Sequence, residues 1–293
     1  MYTVTFLGPC GATFSHNAYR ILAKIFDAPP ITDQRRVRYI PASSNGDVLA
    51  LIAHHGGYGT IAMETLAEGR VAEPLESFID LLKAYAKTDD CPFRIVGAIR
   101  LRLHFCLMVR PGVSPGNITT IIAHPKALGA CAKRIALLGA TTANAESNGE
   151  ATRRIAENND YAGCAALGPR SAAKKYGLSI VHGAFEDREA ITTFFLIAPS
   201  THPISPGKQN RMLITYKVPH TPGALVRSLQ PFEREGLNLI QIHSVHTGNH
   251  TYNFAIEIEV KEQEQAAAQR AMKKFISCVD KYLSFGPFPV LSR

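Results

Sequence analysis

The 293-residue chain lacks most of the local signatures that tie a sequence to one chemistry. Its opening, MYTVTFLGPCG, has no basic segment ahead of a long apolar core, and no later stretch reaches the ~20 uninterrupted apolar residues that a membrane span requires. A cytoplasmic location with no membrane partner is expected. Cys10, Cys91, Cys106, Cys131, Cys164 and Cys278 form no CxxC pair and sit among apolar neighbours, which argues against a disulfide framework or a zinc site and for small buried thiols. There is no GxGxxG fingerprint, no P-loop lysine and no GxSxG elbow. His54, His55, His104, His124, His243 and His246 have no acidic or cysteine partner at ligand spacing, so no metal is expected.

The formal charge of +8 has no clustered source. Nucleic-acid binding would gather basic residues on one face with aromatics interleaved, whereas Arg35, Arg36 and Arg38, Arg100 and Arg102, Arg153 and Arg154, and Lys273 and Lys274 are dispersed. A small anionic substrate or plain solubility accounts for the balance, and no nucleic-acid partner is expected.

What is present is an alternation of strands and helices. YTVTFLG reads as a buried strand ending in a Gly-Pro turn, and SHNAYRILAKIF follows with helical spacing and Ser15 as its N-cap. VRYIPASSNGDVLALIAHH repeats the unit, GYGTIAM adds a strand, and LESFIDLLKAYA a helix. FRIVGAIRLRLHFCLMV is one long strand or a bent pair. Further strand and helix units run through NITTIIAHPKALGACAKRIALLG, TTANAESNGEATRRIAENN and YAGCAALGPRSAAKKYGLSIVHG. An α/β architecture with mostly parallel sheets is predicted. The apolar strand TTFFLIA ends at PSTHPISPGKQN, the best linker in the chain. Beyond it the order strand, helix, strand, strand, helix, strand is the ferredoxin-like βαββαβ plan.

Three stretches could meet a ligand. GPCGATFSH places glycines between a strand and a helix, where N–H groups are open to an anion. IAMETLAEGRV carries Glu64 and Glu68 four apart, on one face if that stretch is helical. NAESNGEATRRI sets Ser147 ahead of a helix with Glu150 three residues on, the pattern of a capping box. Each has an ordinary structural explanation alone.

Taken in order, these stretches resemble the prephenate dehydratase family. FLGPCGATFSHNA is similar to its opening GPxGTxS motif with one extra residue, and GTIAMETLAEGRV to its GVVPIENSxEGxV segment. IIAHPKALGACAKRI is similar to SHPQALxQC, AESNGEATRRIAE to STAEAAR, and AALGPRSAAKKYGLSIV to AxIxSxxAAxxYGL. TTFFLIA falls where the family has Thr, Arg, Phe and an apolar tail, and TPGALVRSLQPFEREGLNLIQIHS resembles an ACT regulatory domain.

The resemblance implies a two-subdomain, periplasmic-binding-protein-like catalytic domain over residues 1–199. Its lobes would be about 1–96 with 190–199, and 100–188, and an ACT domain would follow over 208–293. It implies Thr193 as the catalytic donor and Thr13, Ser15, Glu64, Thr65, Ser147, Asn148 and Phe195 as substrate-binding residues. It implies Gly223, Ala224, Leu225, Val226, His243 and Ser244 around a phenylalanine effector. No cofactor is implied, and the ACT likeness implies a homodimer or homotetramer.

The chain departs from the family at the chemistry. Asn and Ser of PIENS are Thr65 and Leu66, the preceding Pro is Ala62, and ESRP of the ACT domain is HSVH at His243 to His246. The arginine of Thr, Arg, Phe is Phe194, or Thr193 if the frame moves by one, so its guanidinium is missing either way. Three readings follow. The first is decarboxylative dehydration of prephenate to phenylpyruvate, a carbon-oxygen lyase step of phenylalanine biosynthesis. The second is a non-aromatising decarboxylase or other prephenate-analogue lyase. The third is an inert cleft attached to an amino-acid sensor.

Overall fold

The computed structural model describes residues 1–33, 35–65, 69–70, 72–85, 87–204, 209–248 and 251–292, the side chains of 64, 65, 69, 70, 72 and 73 excepted. Three sheets organise them. The first begins with β1 (Tyr2–Leu7), α1 (Phe14–Ile25), β2 (Val37–Ala42), α2 (Asn45–His55), β3 (Tyr58–Thr65), the short β4 (Gly69–Arg70), α3 (Ala72–Ala84) and β5 (Phe93–Leu103). β1 lies between β2 and β3 and pairs in parallel with both. Its inward residues Val4 and Phe6 are fully buried, Phe6 against Tyr19 of α1.

The second sheet contains β6 (Cys106–Val109), β7 (Thr120–Ala123), β8 (Thr141–Asn144), β9 (Cys164–Gly168) and β10 (Ser179–His182). It is covered by α4 (Pro125–Ala130), α5 (Ala132–Leu138), α6 (Asn148–Glu157) and α7 (Arg170–Tyr176). The single helix expected over the AHPKALGACAKRI stretch breaks at Cys131, where φ is −115° and ψ is 11°. β11 (Ala190–Pro199) then returns to the first sheet between β5 and β3.

Two lobes with separate sheets, joined by two crossing segments, make the periplasmic-binding-protein-like plan. FRIVGAIRLRLHFCLMV is the bent pair, broken at His104, so the first lobe keeps the whole of β5 rather than ending near residue 96. Glu186 fastens the crossing. One carboxylate oxygen meets His104 Nδ1 at 2.8 Å and the other accepts the Phe105 N–H at 2.9 Å.

Both faces of β11 are buried, so its side chains divide between two cores by strand alternation. Ala190, Phe194, Leu196 and Ala198 join the core shared with α1 and the crossing strands. Phe195 and Ile197 join a second core that reaches α3 and the third sheet. This division decides which threonine meets the cleft.

The third sheet is built from β12 (Arg211–Lys217), α8 (Ala224–Arg234), β13 (Leu239–His246), β14 (Tyr252–Glu259), α9 (Gln265–Ile276) and β15 (Lys281–Phe288). Its order, β13-β14-β12-β15, all antiparallel, is the ferredoxin-like one. One face lies under Phe232 of α8 and Phe275 of α9. The other presents Leu213, Ala255, Leu283 and Phe285 to α3, with Phe78 and Phe285 edge-to-face at 5.1 Å. β16 (Val290–Ser292) leaves this domain and pairs in parallel with β5. The expected final strand, YLSFGPFP, is β15 of the third sheet, whereas the tail beyond it, inside the 208–293 span, pairs with the first sheet.

Candidate active site

A cavity of about 190 Å³ lies between the lobes. The first lobe lines it with Leu7, Thr13, Phe14, Ser15, Asn45 and Ala62, at the C-terminal ends of β1 and β2 where ligands of open α/β sheets bind. The crossing strands supply Leu103, Phe105, Ala190, Thr192 and Phe194. The second lobe supplies His124, Lys126, Ala127, Ala130, Ser147 and Asn148. The cavity has an apolar floor with polar groups at both walls.

The turn after β1 uses Gly11 at φ 80°, a conformation that glycine tolerates best. It delivers Thr13, and not Ser15, as the N-cap of α1. The Thr13 hydroxyl accepts the His16 N–H at 3.2 Å and donates to the Leu7 carbonyl at 2.9 Å. Ser15 is the second residue of the helix, buried, with no hydrogen-bond partner for its hydroxyl among the described residues. Across the cleft Ser147 caps α6, accepting the Glu150 N–H at 3.0 Å and donating to the Gly8 carbonyl of the first lobe at 3.0 Å. The expected capping box is half formed, because the Glu150 carboxylate turns to Arg153 at 2.9 Å and Arg154 at 3.0 Å. Those arginines hold the Glu150 carboxyl below its ordinary range.

Gly149 permits the lobes to close on each other. A Cβ there would stand 2.6 Å from Pro9 Cδ. Lys175 adds a second link by donating to the Cys10 carbonyl. The N-termini of α1 and α6 thus open into one space, favourable to an anion.

Asn148 orients the opposite wall, its side-chain oxygen accepting the His124 N–H at 3.0 Å. His124 caps α4 through Nδ1, which accepts the Lys126 N–H at 3.3 Å. Asn45 accepts the Ala62 N–H at 3.2 Å, fixing the strand that carries the altered PIENS segment. Among the described residues Lys126 is the only lysine or arginine lining the cavity. Phe14 and Phe105 meet edge-to-face at 5.1 Å on the apolar side.

Cys10 Sγ lies 3.5 Å from His16 Nδ1, close enough to invite comparison with an activated thiol. The electrostatics oppose it. Burial pushes the Cys10 thiol up, with Lys175 only partly offsetting, and burial together with Arg20 and Lys175 lowers His16 to about 4. A neutral imidazole beside a neutral thiol is a packing contact.

A pH dependence follows. In the unfolded chain His16 takes up a proton near its ordinary 6.5, whereas the folded chain resists until about 4. The unfolded state binds more protons in that interval, so stability is complete above pH 6.5 and falls as pH drops toward 4, by about 3 kcal/mol at most. Melting temperatures measured from pH 4 to 7 should fall less steeply for His16→Gln than for the wild type. Parallel curves would remove His16 from the account.

The expected site residues divide sharply. Thr13, Ser15, Ser147 and Asn148 line the cavity, whereas Thr193 and Phe195 do not. Phe195 sits in the core facing α3, and Thr193, 5% exposed, alternates onto that same face. Thr192 and Phe194 line the cleft in their place. Glu64 and Thr65 lie on β3, not on a helix, as backbone partners of Thr193 and Thr192, and their side chains, with Leu66 and Glu68, lie outside the described residues. Of two arginines that could stand in for the missing guanidinium, Arg70 has its side chain outside the described residues, and Arg188 is exposed away from the cavity lining.

Among the described residues no cluster of His, Cys, Asp or Glu could hold a metal ion. No helix among them is long and apolar enough to cross a membrane.

In the third sheet's domain, Gly223, Ala224, Leu225 and Val226 open α8 and line a second cavity with Thr251, Tyr252 and Phe254. His243 and Ser244 do not line it. His243 instead points to α3, its Nε2 3.9 Å from the Glu76 carboxylate, and Ser244 is exposed.

A family model described as prephenate dehydratase matches residues 4–202. The prephenate dehydratase of Corynebacterium glutamicum is 28% identical over 277 residues, covering 92% of this chain and 82% of that protein. The bifunctional chorismate mutase/prephenate dehydratase of Stutzerimonas stutzeri is 30% identical over 214 residues, covering 71% of this chain and 54% of that one. Among solved structures, prephenate dehydratase from Arthrobacter aurescens in complex with L-Phe superposes with a TM-score of 0.78 at 23% identity, covering 97% of this chain and 88% of that one. GqqA, described as a novel type of quorum quenching acylases, superposes with a TM-score of 0.72 at 20% identity over 97% and 96%. Likenesses this distant speak for the fold alone, and GqqA's description makes plain that the fold does not choose the reaction.

Proposed function

The chain belongs to the prephenate dehydratase family, and we propose that its interlobe cleft converts prephenate to phenylpyruvate. The placement of Thr192 carries this reading. The residue lies on a central strand between Ala190 and Phe194 on the cleft face, and lines the same cavity as the first residues of α1 and α6.

In the reaction the bond between the ring and its carboxylate breaks and carbon dioxide leaves. The released electron pair enters the ring, the carbon–oxygen bond across the ring breaks, and the oxygen departs as water with an added proton. Aromatisation drives the step and needs no electron sink. Thr192 hydrogen-bonds the departing oxygen as charge grows on it. Phe14, Phe105 and Phe194 strip water from the carboxylate that leaves, which raises its energy relative to neutral carbon dioxide. Ser15, Asn148 and the N–H groups at the two helix starts hold the part of the substrate that does not react.

The missing arginine takes a different meaning in this geometry. With the family motif taken one residue earlier, Thr192 and Phe194 match its Thr and Phe, and Thr193 stands at the arginine position. A side chain at 193 faces away from the cleft, so the substitution removes no guanidinium from the substrate. Arg100 is the register partner of Thr193 on β5 and keeps a guanidinium one strand away.

We read the βαββαβ domain as an ACT module and its cavity at Gly223 to Val226 as a site for an amino-acid effector such as phenylalanine. His243 and Ser244 act outside that site, at the contact with α3 and on the surface. The catalytic reading is tested by incubating the purified protein with prephenate and following phenylpyruvate. Intact prephenate, or a product that keeps its ring hydroxyl, would sink it.

A further inference from the structure

Lys126 is a departure from the resembling motifs that adds charge to the cleft. The SHPQAL segment has glutamine where this chain has AHPKAL, and Lys126 lines the cavity beside Ala127 and Ala130. Its side chain is half-buried, and no carboxylate among the described residues stands within ion-pair distance of it. An ammonium at the wall of an apolar cavity attracts an anion more strongly than one in open water does. No carboxylate among the described residues lining the cavity supplies a counter-charge, and an anionic ligand seated in the cleft would.

We propose that Lys126 grips the side-chain keto-carboxylate of the substrate and selects the α-keto acid over its α-amino counterpart. The proposal rests on the dehydratase reading above. Chemistry decides which of the two carboxylates it holds. A cation on the ring carboxylate would stabilise the charge that is lost as carbon dioxide and so would slow the reaction. A cation on the retained carboxylate holds substrate and transition state alike. The leaving carboxylate is then left to the apolar floor.

Selection follows from the neighbouring carbon. In the keto acid that carbon bears a neutral carbonyl, an acceptor compatible with Lys126 and the Asn148 amide. In the amino acid it bears an ammonium a few ångströms from Lys126, with no described carboxylate in the cavity lining to offset the repulsion. Like charges at about 5 Å in a half-buried site discriminate by about 10- to 100-fold.

The test uses the full chain with prephenate, its α-amino counterpart arogenate, and phenylpyruvate as a ligand that keeps only the side-chain carboxylate. Lys126→Gln should raise KM for prephenate by about 10- to 100-fold with a smaller change in kcat, and Lys126→Arg should restore most of the loss. The wild type should prefer prephenate to arogenate, and Lys126→Gln should narrow that preference. Calorimetry should find phenylpyruvate binding weakened at least tenfold in Lys126→Gln whatever the turnover. Equal phenylpyruvate affinity in the two proteins, or an unchanged preference, overturns the assignment. A wild type that makes no phenylpyruvate but loses phenylpyruvate binding in Lys126→Gln contradicts the catalytic reading and leaves the grip standing.

Discussion

Thr192→Ala lowers kcat on prephenate by about 10²- to 10⁴-fold, the range that loss of a positioned proton donor produces. The reasoning starts from the strand. β11 is held between β5 and β3, with Thr192 opposite Leu101 on one side and Thr65 on the other, so Thr192 has little freedom to turn away from the cavity. Its neighbours on the cleft face, Ala190 and Phe194, carry no polar group, and water is a poor substitute donor in a pocket floored by Phe14, Phe105 and Phe194. Thr192→Ser keeps the hydroxyl at a gain of rotamer freedom and should retain activity within roughly tenfold. Thr192→Val keeps the shape, removes the hydroxyl and should behave as the alanine variant does. Steady-state rates of phenylpyruvate formation separate these outcomes, and equal rates for the serine and valine variants would deny the hydroxyl a role.

Glu257→Ala costs about 3 to 5 kcal/mol of stability, the usual penalty for leaving one member of a buried ion pair alone. Arg211 Nη1 donates to Glu257 Oε1 at 2.8 Å, and the two side chains are only 5% and 8% exposed. Arg211 already has a buried Nε without a partner among the described residues, so it has no reserve when the carboxylate goes. The pair lies on β12 and β14, the two inner strands of the third sheet, with both side chains buried. In a chain of this size the melting temperature should fall by roughly 10 °C. The double replacement Arg211→Met with Glu257→Leu should recover most of it, because the desolvation cost of both charges then disappears. A double variant as unstable as the single one would mean that the pair organises the sheet in some further way.

Much of the architecture was legible because its signals are local. Gly-Pro turns punctuate the strands, and the SSN segment after β2 and Ser147 before α6 mark helix starts through their side-chain oxygens. The βαββαβ order could be read from successive apolar periods, and Thr13, Ser15, Ser147 and Asn148 were implied by the resemblance of the turns in which they sit to the family's motifs.

What could not be read depended on register. ITTFFLIA is apolar on both faces, so nothing in its composition says that Thr192 rather than Thr193 meets the cleft. Pairing with β5 and β3, distant in sequence, makes that choice. The parallel docking of β16 on β5 joins residues about 190 positions apart and leaves no mark on the tail itself. His243 reads as an effector residue from its motif, but an odd-numbered position on β13 faces α3.

Lys126 was missed for another reason. It lies just past the C-terminal end of β7 at the start of a helix, the position from which open α/β sheets hold ligands. Applying that rule to every strand end would have found it, whereas a search confined to known motifs reads the lysine as a surface substitution.

The central claim is that the cleft face of β11 carries the reaction and that the absent arginine belonged to the other face. The most direct measurement is kcat/KM on prephenate for Thr193→Ala beside the wild type and Thr192→Ala. The account predicts Thr193→Ala within about threefold of the wild type and Thr192→Ala lower by at least about a hundredfold. The reverse order, with Thr193→Ala inactive and Thr192→Ala near normal, would contradict it.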